Sequence, residues 1–90
     1  MGPTAALIHR KLTQAFAPER LEVVDDSARH AGHAGAGEGG ESHFNITVVS
    51  ASFAGMNRVE RQRRVYAVLA EELAGPVHAL SLKAQAPGES

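Results

Sequence analysis

Residues 30–50 read HAGHAGAGEGGESHFNITVVS, and the fold turns on how that stretch divides. In its second part Phe44, Ile46 and Val48 alternate with Asn45, Thr47 and Val49. That is the period of a half-buried strand, here placed at Phe44–Ser50. Its first part, His30–Ser42, carries five glycines. Glycine's freedom removes both helix and strand propensity, so this part reads as a loop. Loops longer than about 12 residues are uncommon in small domains and are usually functional or disordered. A working loop and a plain connector are therefore both open. Three of the five histidines, His30, His33 and His43, lie in the stretch. A fourth, His78, is expected to return beside them.

Upstream, Arg20–Asp25 reads as a strand, with Leu21 and Val23 on one face and Glu22 and Val24 on the other. Val24 weakens the alternation, which suggests partial cover on both faces. A loop between two successive strands predicts antiparallel pairing. Before them, Thr4–Phe16 reads as a helix with Ile8, Leu12, Ala15 and Phe16 on one stripe. Pro3 suits its first turn and Pro18 bars its continuation. His9 is expected at the surface.

Downstream, Ser52–Met56 reads as a turn around Gly55. Asn57 and Glu60 have the spacing of a capping box. The helix they open is expected to reach about Ala74, where Gly75 and Pro76 stop it. Val59, Val65, Tyr66, Leu69, Ala70 and Leu73 cover one side of it. Gln62 falls inside that apolar arc, which is unexpected for an amide. Val77–Lys83 reads as a third strand, with His78, Leu80 and Leu82 on one face. A helical connection predicts that it lies parallel to the second strand. Ala84–Ser90 reads as a frayed tail, with residues 86–90 flexible.

These readings give an α/β (α+β) single domain over residues 1–90, with its core at about 5–85. The order is αββ(α)αβ, with a short extra turn near Phe53. Helices cover one face of a small three-stranded mixed sheet.

Composition limits the chemistry. The chain has no cysteine, so a metal would need His, Asp or Glu, or a thiolate lent by a partner. A formal net charge of −1 supplies no global attraction to nucleic acid. No apolar run approaches the roughly 20 residues of a membrane span. The first residues lack the basic segment and apolar core of a signal peptide. The chain is expected to be soluble and cytoplasmic. Ser42-His43 lacks a nucleophile elbow and Asp25-Asp26 lacks a positioned base, so no enzyme is expected.

Arg58, Arg61, Arg63 and Arg64 crowd the start of the long helix, where cations oppose its dipole. Contact with DNA phosphates, docking on an acidic partner and a solvated, ion-paired face are all open. No aromatic platform accompanies these arginines, which disfavours single-strand binding.

LEVVDDS, a histidine in a glycine-rich loop, SHFNITVVS, FAG, RQRRVYAVLAEEL and VHALSLKA follow one another in this order. The series resembles the BolA-like family. The resemblance implies an α/β sandwich akin to a type II KH domain, without the glycine loop that grips nucleic acid. It implies an accessory protein of iron–sulfur cluster assembly, trafficking or iron regulation. Its partner would be a monothiol glutaredoxin carrying glutathione. The two would share a [2Fe–2S] cluster, with thiolates from the glutaredoxin side and histidines from this one. The isolated chain would hold no cluster, as a monomer or weak homodimer. Some family members are described as DNA-binding regulators, the alternative reading for the helix of residues 58–74.

The same resemblance places one ligand at His78, in the VHAL motif. It places another in the loop, at His30 or His33, which assigns the chain to the His-loop subgroup. His43, in the SHF motif, is a weaker third choice, with a hydrogen-bonding role as its alternative. For His78 the plain alternative is a half-buried histidine bonded to backbone. One departure stands out: Arg61-Gln62-Arg63 has glutamine where the family pattern has histidine.

Overall fold

The computed structural model describes residues 2–26 and 42–89. Its elements are α1 (Pro3–Phe16), β1 (Arg20–Asp25), β2 (His43–Val49), a 3-10 turn (Ala51–Phe53), α2 (Arg58–Val68), α3 (Ala70–Ala74) and β3 (Ala79–Gln85).

β2 is central. It pairs antiparallel with β1, Val23 opposite Ile46, and parallel with β3, Ile46 opposite Leu82. Phe44, Ile46 and Val48 are buried, and the helices pack on that side of the sheet. Val24 is 50% exposed, so the second face is not covered at β1 as the sequence suggested.

From α1, Ala5, Ile8, Leu12 and Phe16 enter the core. Ala15 faces outward instead, and Ala5 supplies the small residue of the stripe. The helix ends with Ala17 in the left-handed region (φ 43°), its N–H donating to Thr13 O at 3.0 Å. Phe16 meets Phe53 with ring centroids 4.9 Å apart. Beneath them Ser50 Oγ donates to Phe16 O at 2.6 Å and accepts from the Ser52 N–H. A buried hydroxyl is tolerated here because it is bonded in both senses. Gly55, at φ 80°, turns the chain toward α2.

Asn57 and Glu60 form the capping box, Asn57 Oδ1 accepting from the Glu60 N–H at 2.9 Å. The expected single helix is divided at Leu69 (φ −101°, ψ 18°) into α2 and α3. No proline or glycine marks that position, and the residue pattern does not explain it.

The buried side of α2 and α3 is also rotated from the expected arc. Val65, Leu69 and Glu72 are buried, whereas Val59 and Tyr66 are 54% and 39% exposed. The cause is ionic. Lys11 Nζ of α1 reaches Glu72 Oε2 at 2.8 Å and Glu71 Oε1 at 3.1 Å, which allows Glu72 to be enclosed. At the other end Arg61 is drawn in by Glu89. Gln62 therefore sits half-buried at the margin of the stripe.

β3 begins two residues later than expected. Val77 still closes the helix end, its N–H donating to Glu72 O at 2.9 Å, and its side chain is in the core. The two-residue period starts only at Ala79, so His78 does not share a strand face with Leu80 and Leu82. The tail differs too. The strand runs on to Gln85, Ala86 is buried, and Glu89 is tied to α2.

Candidate functional site

Parallel neighbours begin at the same end of a sheet, and here that register gathers polar residues of distant segments. His43 lies opposite Ala79. Ser42 O accepts both the His78 N–H, at 2.8 Å, and the Ala79 N–H, at 3.1 Å. Asp26 N–H donates to His43 O at 2.7 Å. Asp26, Ser42, His43 and His78 thus share one end of the sheet.

Two features leave the His78 imidazole outside. Glu72, held by Lys11, fixes the end of α3, and its carbonyl takes the Val77 N–H. Val77 then turns into the core and His78 turns out, exposed. The bond to Ser42 uses only the backbone of His78, so the ring is not consumed by it. His43 is half-buried, with Nδ1 2.9 Å from Ser42 Oγ. That contact orients the ring at the point where the chain enters β2. His30 and His33 lie outside the described residues.

Among the described residues no group of three or more His, Asp or Glu side chains is arranged to hold a metal ion. An iron in a [2Fe–2S] cluster has four ligands, two of them the bridging sulfides. Any metal at this end of the sheet would need donors from outside the described residues. Neutral imidazoles suit such an iron, and their proton uptake would oppose binding.

The arginines divide into two kinds. Arg58, Arg63 and Arg64 are exposed on α2. Arg61 is engaged: Nε donates to Met56 O at 3.0 Å, Nη1 to Ala84 O at 3.2 Å, and both Nη atoms to the Glu89 carboxylate. Glu89 Oε1 also accepts the Ala86 N–H at 3.0 Å. The Arg61 guanidinium, and then the Ala86 N–H, hold the Glu89 carboxyl down to about 2. Arg61 is thus a clamp between α2 and the chain end. Sequence reasoning missed this because four arginines stand close together and the selecting partner lies far along the chain. Lys11 and Glu72 were missed for the same reason.

The family model described as BolA-like protein matches residues 12–89. BolA-like protein 1 of Mus musculus is 48% identical over 98% of this chain and 61% of its own length. The DNA-binding transcriptional regulator BolA of Escherichia coli is 49% identical over 83% of this chain and 68% of its own. The chain spans about three fifths of the length of the first curated relatives it matches. The solved structure of BolA1 from Arabidopsis thaliana superposes with a TM-score of 0.85 at 39% identity, covering 100% of this chain and 99% of that one. Among the described residues no helix is long and apolar enough to cross a membrane. On the matched span and the shared architecture together, the chain belongs to the BolA-like family.

Proposed function

We propose that this protein is an accessory factor that binds a monothiol glutaredoxin and lends histidine ligands to a [2Fe–2S] cluster shared between them. His78 is one ligand and a loop histidine, His30 or His33, is the other, as in the His-loop subgroup. The glutaredoxin and its glutathione supply thiolates. The observation that carries the reading is that His78 is exposed while its backbone N–H is bonded to Ser42 O, next to His43, at the sheet end flanked by residues 26 and 42. The chain's own part is to present an imidazole on a fixed backbone, with Glu72 and Ser42 setting its position. Histidine in place of thiolate would raise the cluster's potential. A cytoplasmic setting belongs to the same proposal, and fractionation of the source cells tests it.

The test is co-purification with the glutaredoxin in the presence of iron and sulfide, followed by visible absorption and circular dichroism. The mixed complex should differ from the glutaredoxin homodimer, and His78→Ala should abolish the difference. Spectra that match the homodimer, or that ignore the substitution, reject the ligand assignment.

The alternative is a DNA-binding regulator. The exposed Arg58, Arg63 and Arg64, and the regulator named among the relatives, favour it. Mobility shifts over a salt series decide between them. Arg63→Ala/Arg64→Ala should weaken binding and lower the salt slope by about 2 if both touch phosphate.

A further inference from the structure

The two edges of β3 are not alike. Its inner edge is paired to β2: the Ala79 N–H donates to Ser42 O, and Gln85 O accepts the Ser50 N–H. In a parallel ladder the residues that face the neighbour alternate with residues that face away. Ala79, Ser81, Lys83 and Gln85 therefore turn their N–H and C=O groups to β2. Leu80, Leu82 and Ala84 turn theirs outward. The position of Arg61 agrees, since its Nη1 meets Ala84 O from that side. β3 is an edge strand, so among the described residues no further strand takes these groups.

A groove of about 490 Å³ runs along this edge at the Leu82–Gln85 half of the strand. Arg58, Arg61 and Gln62 of α2 form one wall and Leu82 and Lys83 the other. Three cations line it against one carboxylate, Glu89, which Arg61 already holds. The groove therefore offers the outward backbone groups of Leu82 within a positive rim, the Ala84 carbonyl being already taken by Arg61.

We infer that the outer edge of β3 receives an acidic polypeptide segment as an added strand. Its backbone pairs with Leu82 and its neighbours, and its carboxylates meet Arg58 and Lys83. This is strand addition, in which main-chain bonds give affinity and flanking side chains give selectivity. A second copy of this chain suits the edge less well, because two-fold pairing would bring Arg58 and Lys83 toward their own copies. Single-stranded nucleic acid suits it less well, because no aromatic side chain lines the groove for stacking. The inference does not depend on cluster binding, since His78 lies beyond the opposite end of β3.

The test uses the isotopically labelled chain and a terminally blocked peptide of alternating glutamate and valine. On titration the Leu82 and Ala84 amides should shift and exchange more slowly, while Ser81 and Lys83 change less. Arg58→Glu/Lys83→Glu, at two exposed positions, should weaken the peptide by about tenfold or more, and a lysine–valine peptide should not bind. Four results overturn the inference. They are shifts confined to the histidine end or the far side of α2, affinity indifferent to charge reversal, the same shifts from a thymidine oligonucleotide at lower concentration, or peptide-free dimerisation through this edge.

Discussion

Glu89 grips Arg61 through both carboxylate oxygens, at 2.5 Å and 2.9 Å, across 28 positions of sequence. One contact thereby fixes the start of α2, the carbonyl of Ala84 and the last described turn of the chain. Its dependence on pH has a definite sign. The carboxyl falls from the ordinary 4.5 to about 2 on folding, chiefly through the Arg61 hydrogen bonds. Between those values the unfolded chain binds more protons, so stability rises with pH. The contribution is present above about pH 4.5 and fades as pH falls toward 2. Thermal midpoints of the parent and Glu89→Gln should differ at neutral pH and converge in acid. High salt should narrow the gap, because Glu89 is 42% exposed. Parallel curves across the acid range would contradict the prediction.

Arg61 and Arg63 are two positions apart and should behave differently. Arg61→Ala removes a guanidinium that serves two carbonyls and a carboxylate. Arg63→Ala changes an exposed side chain, and such changes usually stay within about 0.5 kcal/mol. Urea unfolding should rank Arg61→Ala clearly lower and leave Arg63→Ala near the parent.

His78→Ala should leave the free chain's stability within about 0.5 kcal/mol of the parent, because its ring is exposed and its backbone bond to Ser42 survives. Phe53→Ala should cost about 3–5 kcal/mol, since Phe53 is fully buried and packs, tilted, against Phe16. In a domain of this size that approaches the whole margin of stability. Chemical unfolding checks both values. The first matters for function, because it lets loss of a spectral signature in His78→Ala be assigned to ligation rather than to unfolding.

Lys11→Met strands the enclosed Glu72 carboxylate without its ammonium partner. The variant should melt several degrees below the parent, and Lys11→Met/Glu72→Leu should regain much of the loss. Glu72 sets the end of α3, so Lys11→Met should also shift the amide resonances of Val77 and His78. Unmoved resonances would separate the ion pair from the placement of the histidine.

How much of this could be read in the residues depends on how local each cause is. The alternation of Phe44, Ile46 and Val48 and the stripe of Ile8, Leu12, Ala15 and Phe16 are local patterns, and all of these but Ala15 are in the core. The parallel placement of β3, and so the meeting of His43 with the approach to Ala79, followed from connection length alone. The buried side of α2 did not, because Arg61 and Glu72 turn inward only for partners on α1 and at the chain end. The start of β3 was misjudged because Val77, apolar and beside Pro76, is spent on closing a helix. Tyr66 and Val59 were assigned to the core on hydrophobicity, which the ionic ends of the stripe overrode.

The parallel pairing of β2 with β3 has a consequence for how the molecule comes into being. The antiparallel β1–β2 pair joins strands adjacent in sequence, whereas pairing β3 with β2 closes the excursion from Ser50 to His78. Closing that long excursion costs chain entropy before any contact repays it. The sheet end that holds His43 and His78 therefore depends on contacts distant in sequence. Until β3 docks, the margin of β2 that meets Ala79–Gln85 is left without its neighbour.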